Sequence, residues 1–146
     1  MTTTITQPAT VAKRMAQQLE TWGIQVAFGV IGDSIAPLIH SLTENQNIRY
    51  IGFRHETSAA LAASAYAKAK GKMAVCLADA GPGAVNLLNG AFDAFFDSVP
   101  LLAVTGQSPE TVLYTDYHQT TDQQALFGGA TRYSATITDP RQALTV

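Results

Sequence analysis

Four short apolar runs, each followed by glycine or polar residues, constrain the fold of this chain more than any other feature. The segments between them carry apolar residues at spacings of three and four, as Val11, Met15 and Leu19 do, which is the period of an amphipathic helix. Near-continuous apolar strands that alternate with helices are typical of a parallel sheet buried on both faces. The sequence therefore predicts an α/β fold, with an open, mostly parallel sheet between two layers of helices. The predicted strands lie near residues 26–30, 48–53, 73–78 and 100–105.

The predicted helices have recognisable first and last residues. Pro8 suits the first turn of the first helix, and Gly23 suits its end. Asp33 or Ser34 suits the N-cap of a second helix over 34–43. Further helices are predicted over 56–70, from 81 to about 95, near 121–127 and from 139 onward, with a loop over 106–120 and a last strand near 131–137.

The length of 146 residues favours one domain. We expect residues 1–7 to form a flexible tail and residues 8–146 to form the domain. The last predicted helix starts at Asp139-Pro140 and is cut short at Val146, so we expect the domain to be incomplete at its C-terminus. The N-terminal residues lack the basic and apolar regions of a secretion signal, and no apolar run approaches the ~20 residues that span a bilayer. We therefore expect a cytoplasmic protein without a membrane span.

The composition narrows the classes of partner. Only 14% of the residues are charged, against about 25% in an average soluble domain. Because 47% are hydrophobic, disorder is excluded, and we expect a partner chain or a further domain to cover part of the surface. A net charge of -2 gives no electrostatic footprint for nucleic acid. The single cysteine, Cys76, excludes a disulfide framework, and its apolar strand predicts an inert buried thiol.

Polar residues and glycines gather where the predicted strands end. In open α/β sheets, ligands bind beyond the carboxyl ends of the strands, so these positions are the candidate site. They are residues 29–33, Arg54 to Glu56, Asp79 to Gly83 with Asn86, and 106–119 with His118 and Gln119.

The turn Gly81-Pro82-Gly83 resembles part of a dinucleotide-binding fingerprint but departs from it in two ways. Asn86 stands where the third glycine would be, and Pro82 lacks the N–H that would approach a phosphate. Two interpretations remain. The segment is either a tight strand-to-helix turn with Pro82 in the first helical position, or a turn that lets a flat ligand contact the backbone closely.

Glu56 also has two interpretations from its position alone. It is either an acidic residue in a first helical turn, which the helix dipole favours, or a carboxyl that faces a heterocycle and exchanges a proton with it. The three histidines do not have the spacing of a metal site, so no metal is expected in this chain. Asp93 and Asp97, four residues apart, are interpreted as a solvated or interface-facing pair.

Taken together, these stretches resemble a known family. The chain is similar to the N-terminal pyrimidine-binding (PYR) domain of thiamine diphosphate-dependent enzymes, of the acetolactate synthase and pyruvate oxidase group. The matching stretches span most of the chain. They are residues 29–34 (GVIGDS), 53–56 (FRHE), 80–90 (AGPGAVNLLNG), 97–100 (DSVP) and 105–107 (TGQ).

The resemblance implies a catalytic role for Glu56. This residue corresponds to the family's glutamate, which hydrogen-bonds the pyrimidine nitrogen N1′ and thereby promotes loss of the proton from C2 of the thiazolium. The cofactor then accepts the electrons released when a small 2-keto acid such as pyruvate loses CO2.

The resemblance also assigns the remaining candidate residues. Asp79 stands where relatives often have serine or threonine, Ile31 where many have proline, and Thr120 where synthases often have glutamate. These departures leave the substrate open. The implied cofactor-binding residues are Val30, Ile31, Glu56, Asp79, Pro82, Asn86 and Gln119, and the implied substrate-facing residues are Asp33, His118 and Gln119.

The family binds Mg²⁺ and the pyrophosphate through a second domain with a Gly-Asp-Gly and Asn-Asn pattern, which this sequence lacks. The resemblance therefore implies a partner domain, in trans or in a longer chain, and a homodimer or higher oligomer. It also allows FAD in a full-length enzyme. Two alternatives stay open: a non-catalytic partner-binding domain or separate subunit of a split enzyme, and a flavodoxin-like nucleotide-binding module.

Overall fold

The computed structural model describes residues 10–45 and 47–146, and the tail and Pro8 predicted above lie outside them. In this part of the chain, four parallel strands form one open sheet with the order β2-β1-β3-β4. The predicted α/β fold is confirmed. The strands are β1 (Val26–Gly29), β2 (Arg49–Gly52), β3 (Ala74–Ala78) and β4 (Leu101–Thr105).

The helices follow the predicted segments closely. The hydroxyl of Thr10 caps the first helix by accepting a hydrogen bond from the Lys13 amide, and Gly71 ends the third with a φ of 62°. The helices are α1 (Val11–Thr21), α2 (Ala36–Glu44), α3 (Glu56–Lys70), α4 (Pro82–Phe96) and α5 (Gln123–Phe127), with 3₁₀ turns at Glu110–Val112 and Pro140–Leu144.

Helices cover both faces of the sheet, as the near-continuous apolar strands predicted. The fully buried strand β3 contributes alternate side chains to two cores. Cys76 and Ala78 pack with α3 and α4 on one face, whereas Val75 and Leu77 pack with α1 and α2 on the other. β3 is thus the centre of the domain, and the loop after it follows a strand that is packed between two cores.

Helices α3 and α4 approach each other very closely. A Cβ on Gly90 of α4 would lie 2.4 Å from the carbonyl carbon of Ala60 in α3, so only glycine fits this contact. At the outer rim, the Asp93 carboxylate accepts hydrogen bonds from the Ser64 hydroxyl and the Lys68 ammonium. Gly90 and Ala60 therefore allow α3 and α4 to pack closely. This packing sets the distance between the first turns of the two helices.

Two details of the predicted secondary structure are wrong. Neither Asp33 nor Ser34 caps α2, which follows Ile35 without a side-chain cap, because the Ser34 hydroxyl bonds to Asp79 instead. The predicted strand over 131–137 is not a strand. A strand needs a backbone partner, and residues 130–138 line a cleft of about 1260 Å³ together with β4 instead of pairing with it.

The predicted C-terminal helix does begin at Asp139-Pro140, but it forms a short 3₁₀ turn. Asp139 accepts from the Arg141 amide, and the side chain of Gln142 accepts from the Asp139 amide. In the described ranges, no helix is long and apolar enough to cross a membrane.

Candidate functional site

The strand order places a switch point between β1 and β3. From β1 the chain crosses outward to β2, and from β3 it crosses outward to β4 in the opposite direction. A crevice opens at the carboxyl ends of two such strands, because their connections leave toward different sides. The segments at this crevice are residues 30–35 after β1, 53–55 after β2 and 79–81 after β3.

Glu56 is the first residue of α3 and is half-buried beside the turn that precedes α4. Its Oε2 accepts a hydrogen bond of 3.0 Å from Nδ2 of Asn86. Its Oε1 lies 3.5 Å from the position that a Cβ on Gly83 would occupy. The carboxylate is therefore near the N-termini of both α3 and α4, and both helix dipoles favour a negative charge there.

The bend Gly81-Pro82-Gly83 requires glycine at its first position, whereas glycine at its third position leaves space beside Glu56. Gly81 has a φ of 61°, and a Cβ there would lie 2.6 Å from the carbonyl oxygen of Gln119. Pro82 is the first residue of α4, where its missing N–H is not needed. A Cβ on Gly83 would make only ordinary contacts, but it would fill the space beside the Glu56 carboxylate.

Thr57 and Asn86 tie the first turns of α3 and α4 together. The Thr57 hydroxyl donates to the carbonyl oxygen of Asn86 at 2.8 Å and accepts from Nδ2 of Asn89 at 3.3 Å. Because Thr57 follows Glu56 directly, this bond fixes Asn86 relative to the carboxylate. The sequence analysis missed Thr57, since its partner lies far along the chain and no local pattern marks it.

Ser34 was predicted as a possible helix cap, but its side chain has a different role. Both its amide, at 3.0 Å, and its hydroxyl donate to Oδ1 of Asp79, and the same hydroxyl accepts from the Ala80 amide at 3.2 Å. This cluster joins the loop after β1 to the loop after β3. Its signal in the sequence was the placement of both residues at strand ends.

The structure brings several of the predicted site residues to this edge. Glu56, Pro82, Asn86 and Gln119 surround the bend, and Gln119 has a φ of 61° in the half-buried end of the loop that packs on Gly81. Val30 is half-buried, and its amide bonds to the Leu77 carbonyl oxygen at 3.2 Å.

Three other predicted residues are more exposed. Ile31 is 67% exposed, which leaves an apolar side chain open at the crevice. Asp33 and His118 are both exposed, and neither side chain hydrogen-bonds to another residue in the described part of the chain. The large cleft next to β4 includes Ser34 and Gln107 in its lining but not Glu56, so it is a separate feature.

The histidine and cysteine side chains have clear surroundings. Nδ1 of His55 accepts from the Thr57 amide at 3.2 Å, so His55 is the N-cap of α3. Burial in the central strand raises the pKa of the Cys76 thiol to about 12, so Cys76 is chemically quiet at neutral pH. Within residues 10–45 and 47–146, no three His, Cys, Asp or Glu side chains lie close enough together to hold a metal ion.

The residues at the bend fit the edge of a flat heterocycle. A half-buried carboxylate has one oxygen held by Asn86 and the other facing a glycine without a Cβ. Such an oxygen can accept a proton from a ring nitrogen or return one to it. The strand order defines an open α/β domain with a switch point between β1 and β3, which is where ligands bind in folds of this class.

The comparison with known proteins assigns the family. Residues 9–126 match the model described as "Thiamine pyrophosphate enzyme, N-terminal TPP binding domain". Because this match covers most of the chain, the protein belongs to that family, and the resemblance found in the sequence is confirmed.

Curated relatives agree with this assignment. A Bacillus subtilis (strain 168) protein, YdaP, provisionally named as thiamine pyrophosphate-containing, is 44% identical over 119 residues, which are 81% of this chain and 21% of that protein. The acetolactate synthase of Mycobacterium avium is 37% identical over 92% of this chain and 22% of its own length. The chloroplastic acetolactate synthase of Arabidopsis thaliana is 36% identical over 91% of this chain and 20% of its own length. The chain thus spans about a fifth of the length of these relatives.

Proposed function

We propose that this chain binds the aminopyrimidine half of thiamine diphosphate at the Gly81–Gly83 bend, and that Glu56 is the catalytic residue of the site. The single observation that supports this most is the geometry of the Glu56 carboxylate. Asn86 holds Oε2, whereas Oε1 accepts no hydrogen bond from any residue that the structure describes and lies beside Gly83. The carboxylate is thereby oriented in advance to hold a proton at the ring nitrogen N1′.

The other residues of the crevice would shape and orient the ring. Val30 and Ile31 would supply apolar contacts, Pro82 and Asn86 would border the ring, and Gln119 would face the substrate. Asp33 and His118 are exposed and therefore accessible to a substrate. When bound, the cofactor supplies the electron sink for loss of CO2 from a small 2-keto acid such as pyruvate.

The proposal includes a second domain that binds Mg²⁺ and the pyrophosphate. The chain covers only about a fifth of its relatives, and Glu56 is only half-buried by the residues of this chain. Val85, Phe92 and Phe96 form an exposed apolar stripe on α4. Such a stripe supports the binding of a partner surface to this helix. We propose that a partner domain and a second copy of the protein cover such surfaces in the complete enzyme.

The test uses this chain fused to the remaining domains of an acetolactate synthase relative. With thiamine diphosphate and Mg²⁺ bound, proton–deuterium exchange at C2 of the cofactor is followed by NMR. We expect Glu56→Gln to slow this exchange by about 10² to 10⁴, because a general acid–base residue contributes that much. Glu110→Gln is the matched control, since Glu110 is an exposed glutamate in the loop after β4. Exchange within a few-fold of the unchanged fusion would refute the role of Glu56.

A second candidate function is a non-catalytic subunit that pairs with a partner protein. The exposed stripe on α4 favours it independently of Glu56. The two functions separate when the chain is mixed with a pyrophosphate-binding domain from a relative. Cofactor-dependent release of CO2 supports the catalytic function, whereas a stable complex without release supports the non-catalytic one.

A further inference from the structure

Asp79 and Ser34 form a clasp across the switch point of the sheet. Oδ1 of Asp79 accepts from the amide of Ser34 at 3.0 Å and also from its hydroxyl. The same hydroxyl accepts from the Ala80 amide at 3.2 Å, which closes a ring of hydrogen bonds between the two loops. One oxygen that accepts two hydrogen bonds from Ser34 links the two loops at a single point, so this clasp is well suited to fix both of them.

Two glycines leave the space that the clasp needs. A Cβ on Gly32 would lie 2.5 Å from the Asp79 carboxyl carbon, and a Cβ on Gly106 would lie 1.8 Å from the Ser34 hydroxyl oxygen. The amide of Gly106 in turn bonds to the Ala78 carbonyl oxygen at 3.0 Å. The clasp is therefore closely approached by the loops after β1 and β4, although Ser34 itself is exposed, and no side chain could replace either glycine without moving it.

The clasp is directly connected to the bend at the candidate site. Ala80, which donates to Ser34, precedes Gly81 in the chain. The Cβ of Asp79 and Oε1 of Glu56 each lie 3.5 Å from the Cβ position of Gly83. A shift in the loop after β3 would thus move Gly83 and, through α4, the Asn86 amide that holds Glu56.

We propose that Asp79 is a positioning residue: through Ser34 it holds the Gly81–Gly83 bend, and with it Asn86, in place against the Glu56 carboxylate. The relevance of this clasp to catalysis rests on the proposed function, but the clasp itself does not. Asp79 acts as a hydrogen-bond acceptor in this role, so its negative charge is dispensable. An asparagine, whose Oδ1 can accept the same two bonds, should replace it.

The test compares the 146-residue chain, without any cofactor, with its Asp79→Asn, Asp79→Ala and Ser34→Ala variants. Amide hydrogen exchange and the side-chain amide resonances of Asn86 are measured by NMR. We expect Asp79→Ala and Ser34→Ala to speed exchange at Ala80 by at least about tenfold relative to Leu77, and both to shift the Asn86 resonances. Asp79→Asn should stay within about threefold of the unchanged chain. Asp116→Ala, which removes an exposed carboxylate from the loop after β4, is the control.

Two results would overturn the proposal. One is loss of protection at Ala80 with unmoved Asn86 resonances, because the clasp would then stabilise the loop without positioning the site. The other is an Asp79→Asn variant that behaves like Asp79→Ala, because the charge would then be essential. Since no cofactor is present, a failure here is distinct from a failure of Glu56 in the fusion experiment.

Discussion

At the scale of single residues, the candidate site depends on how each polar atom is paired. Oε2 of Glu56 is held by Asn86, and Asn86 is itself fixed by Thr57 through its backbone carbonyl. Because the side-chain amide and the backbone carbonyl of Asn86 are both hydrogen-bonded, this residue loses little further conformational freedom when a ligand binds. The Glu56 carboxylate is therefore preorganised in the absence of a ligand.

The central strand provides a prediction at the same scale. Cys76 is fully buried, and burial raises the pKa of its thiol to about 12. We expect a thiol-specific disulfide reagent at pH 8 to leave the folded chain unmodified and to react only as fast as the chain unfolds. The absorbance of the released thiolate measures this rate with and without denaturant. Rapid reaction in native buffer would contradict the burial of Cys76.

At the scale of elements, the close contact of α3 with α4 sets the geometry of the site, because Glu56 begins one helix and Asn86 lies in the first turns of the other. Gly90 permits this contact. Two effects of a Gly90→Ala substitution oppose each other. Alanine gains about 1 kcal/mol of helix propensity, but overpacking against rigid backbone costs about 1–3 kcal/mol or more.

We expect the clash to prevail at Gly90. The new Cβ would meet Ala60 at 2.4 Å, and both backbone and side-chain atoms of Ala60 lie at that distance, so the helices must move apart. The free energy of unfolding, measured with urea, should fall by at least about 1 kcal/mol. Gly129→Ala is the matched control, since the nearest atom to its Cβ would be 3.9 Å away. Equal stability of both variants would refute the tight contact.

Asp93 and Lys68 form an ion pair at the edge of the contact between α3 and α4. This pair predicts that the free energy of unfolding depends on pH. The Lys68 ammonium and the Ser64 hydroxyl hold the pKa of Asp93 below its ordinary value of 3.8. A carboxyl whose folded-state pKa is lowered stabilises the fold above its unfolded-state pKa, and this contribution is lost as the pH falls through the folded-state pKa. The contribution of Asp93 is therefore complete above pH 3.8 and disappears below it.

An Asp93→Asn variant tests this sign. Urea unfolding at pH 7, 5, 3 and 2 should give a difference from the unchanged chain that is constant at the upper two values and shrinks at the lower two. The difference should be small, because the Asp93 side chain is 38% exposed. A difference that grows toward low pH would contradict the pairing with Lys68.

At the scale of the whole molecule, the surface shows where the domain lacks a cover. Phe92 and Phe96 stack with ring centroids 5.9 Å apart on the outer face of α4, and Phe96 is 75% exposed. With Val85 they form a stripe at helical spacing that continues from the turn bearing the bend. The low charge content of the chain fits the same picture of a domain with covered faces.

We expect Phe96→Ser to weaken self-association of the chain, as measured by sedimentation velocity over a range of concentrations, because Phe96 is the most exposed aromatic side chain of the stripe. Exposed aromatic side chains at an interface core contribute strongly to binding, whereas their loss changes the fold itself little. Tyr133→Ser is the control, because Tyr133 is 70% exposed on a different segment. A chain that stays strictly monomeric at high concentration would count against the stripe as an interface between copies.

Much of this architecture follows from local patterns. The helix from Glu56 to Lys70 ends where predicted because Gly71 adopts a positive φ, and α4 starts at Pro82 because proline suits a first helical turn. The position of the candidate site also follows from the predicted strands, because parallel strands bring their carboxyl ends to one edge of the sheet. The motif around residues 80–90 therefore placed Asn86 at the same edge of the sheet as Glu56, whereas their direct hydrogen bond was not predicted.

The sequence alone determined the four strands, their covering helices and the edge that carries the candidate site, because periodicity and turn residues act over short distances along the chain. Only the tertiary structure decided which atoms pair at that edge. Ser34 is of a residue type that suits a helix cap but bonds to Asp79, 45 residues away, and the segment 131–137 pairs with no strand in the described part of the chain. Hydrogen-bond partners and strand neighbours depend on contacts between distant parts of the chain, which no local pattern encodes.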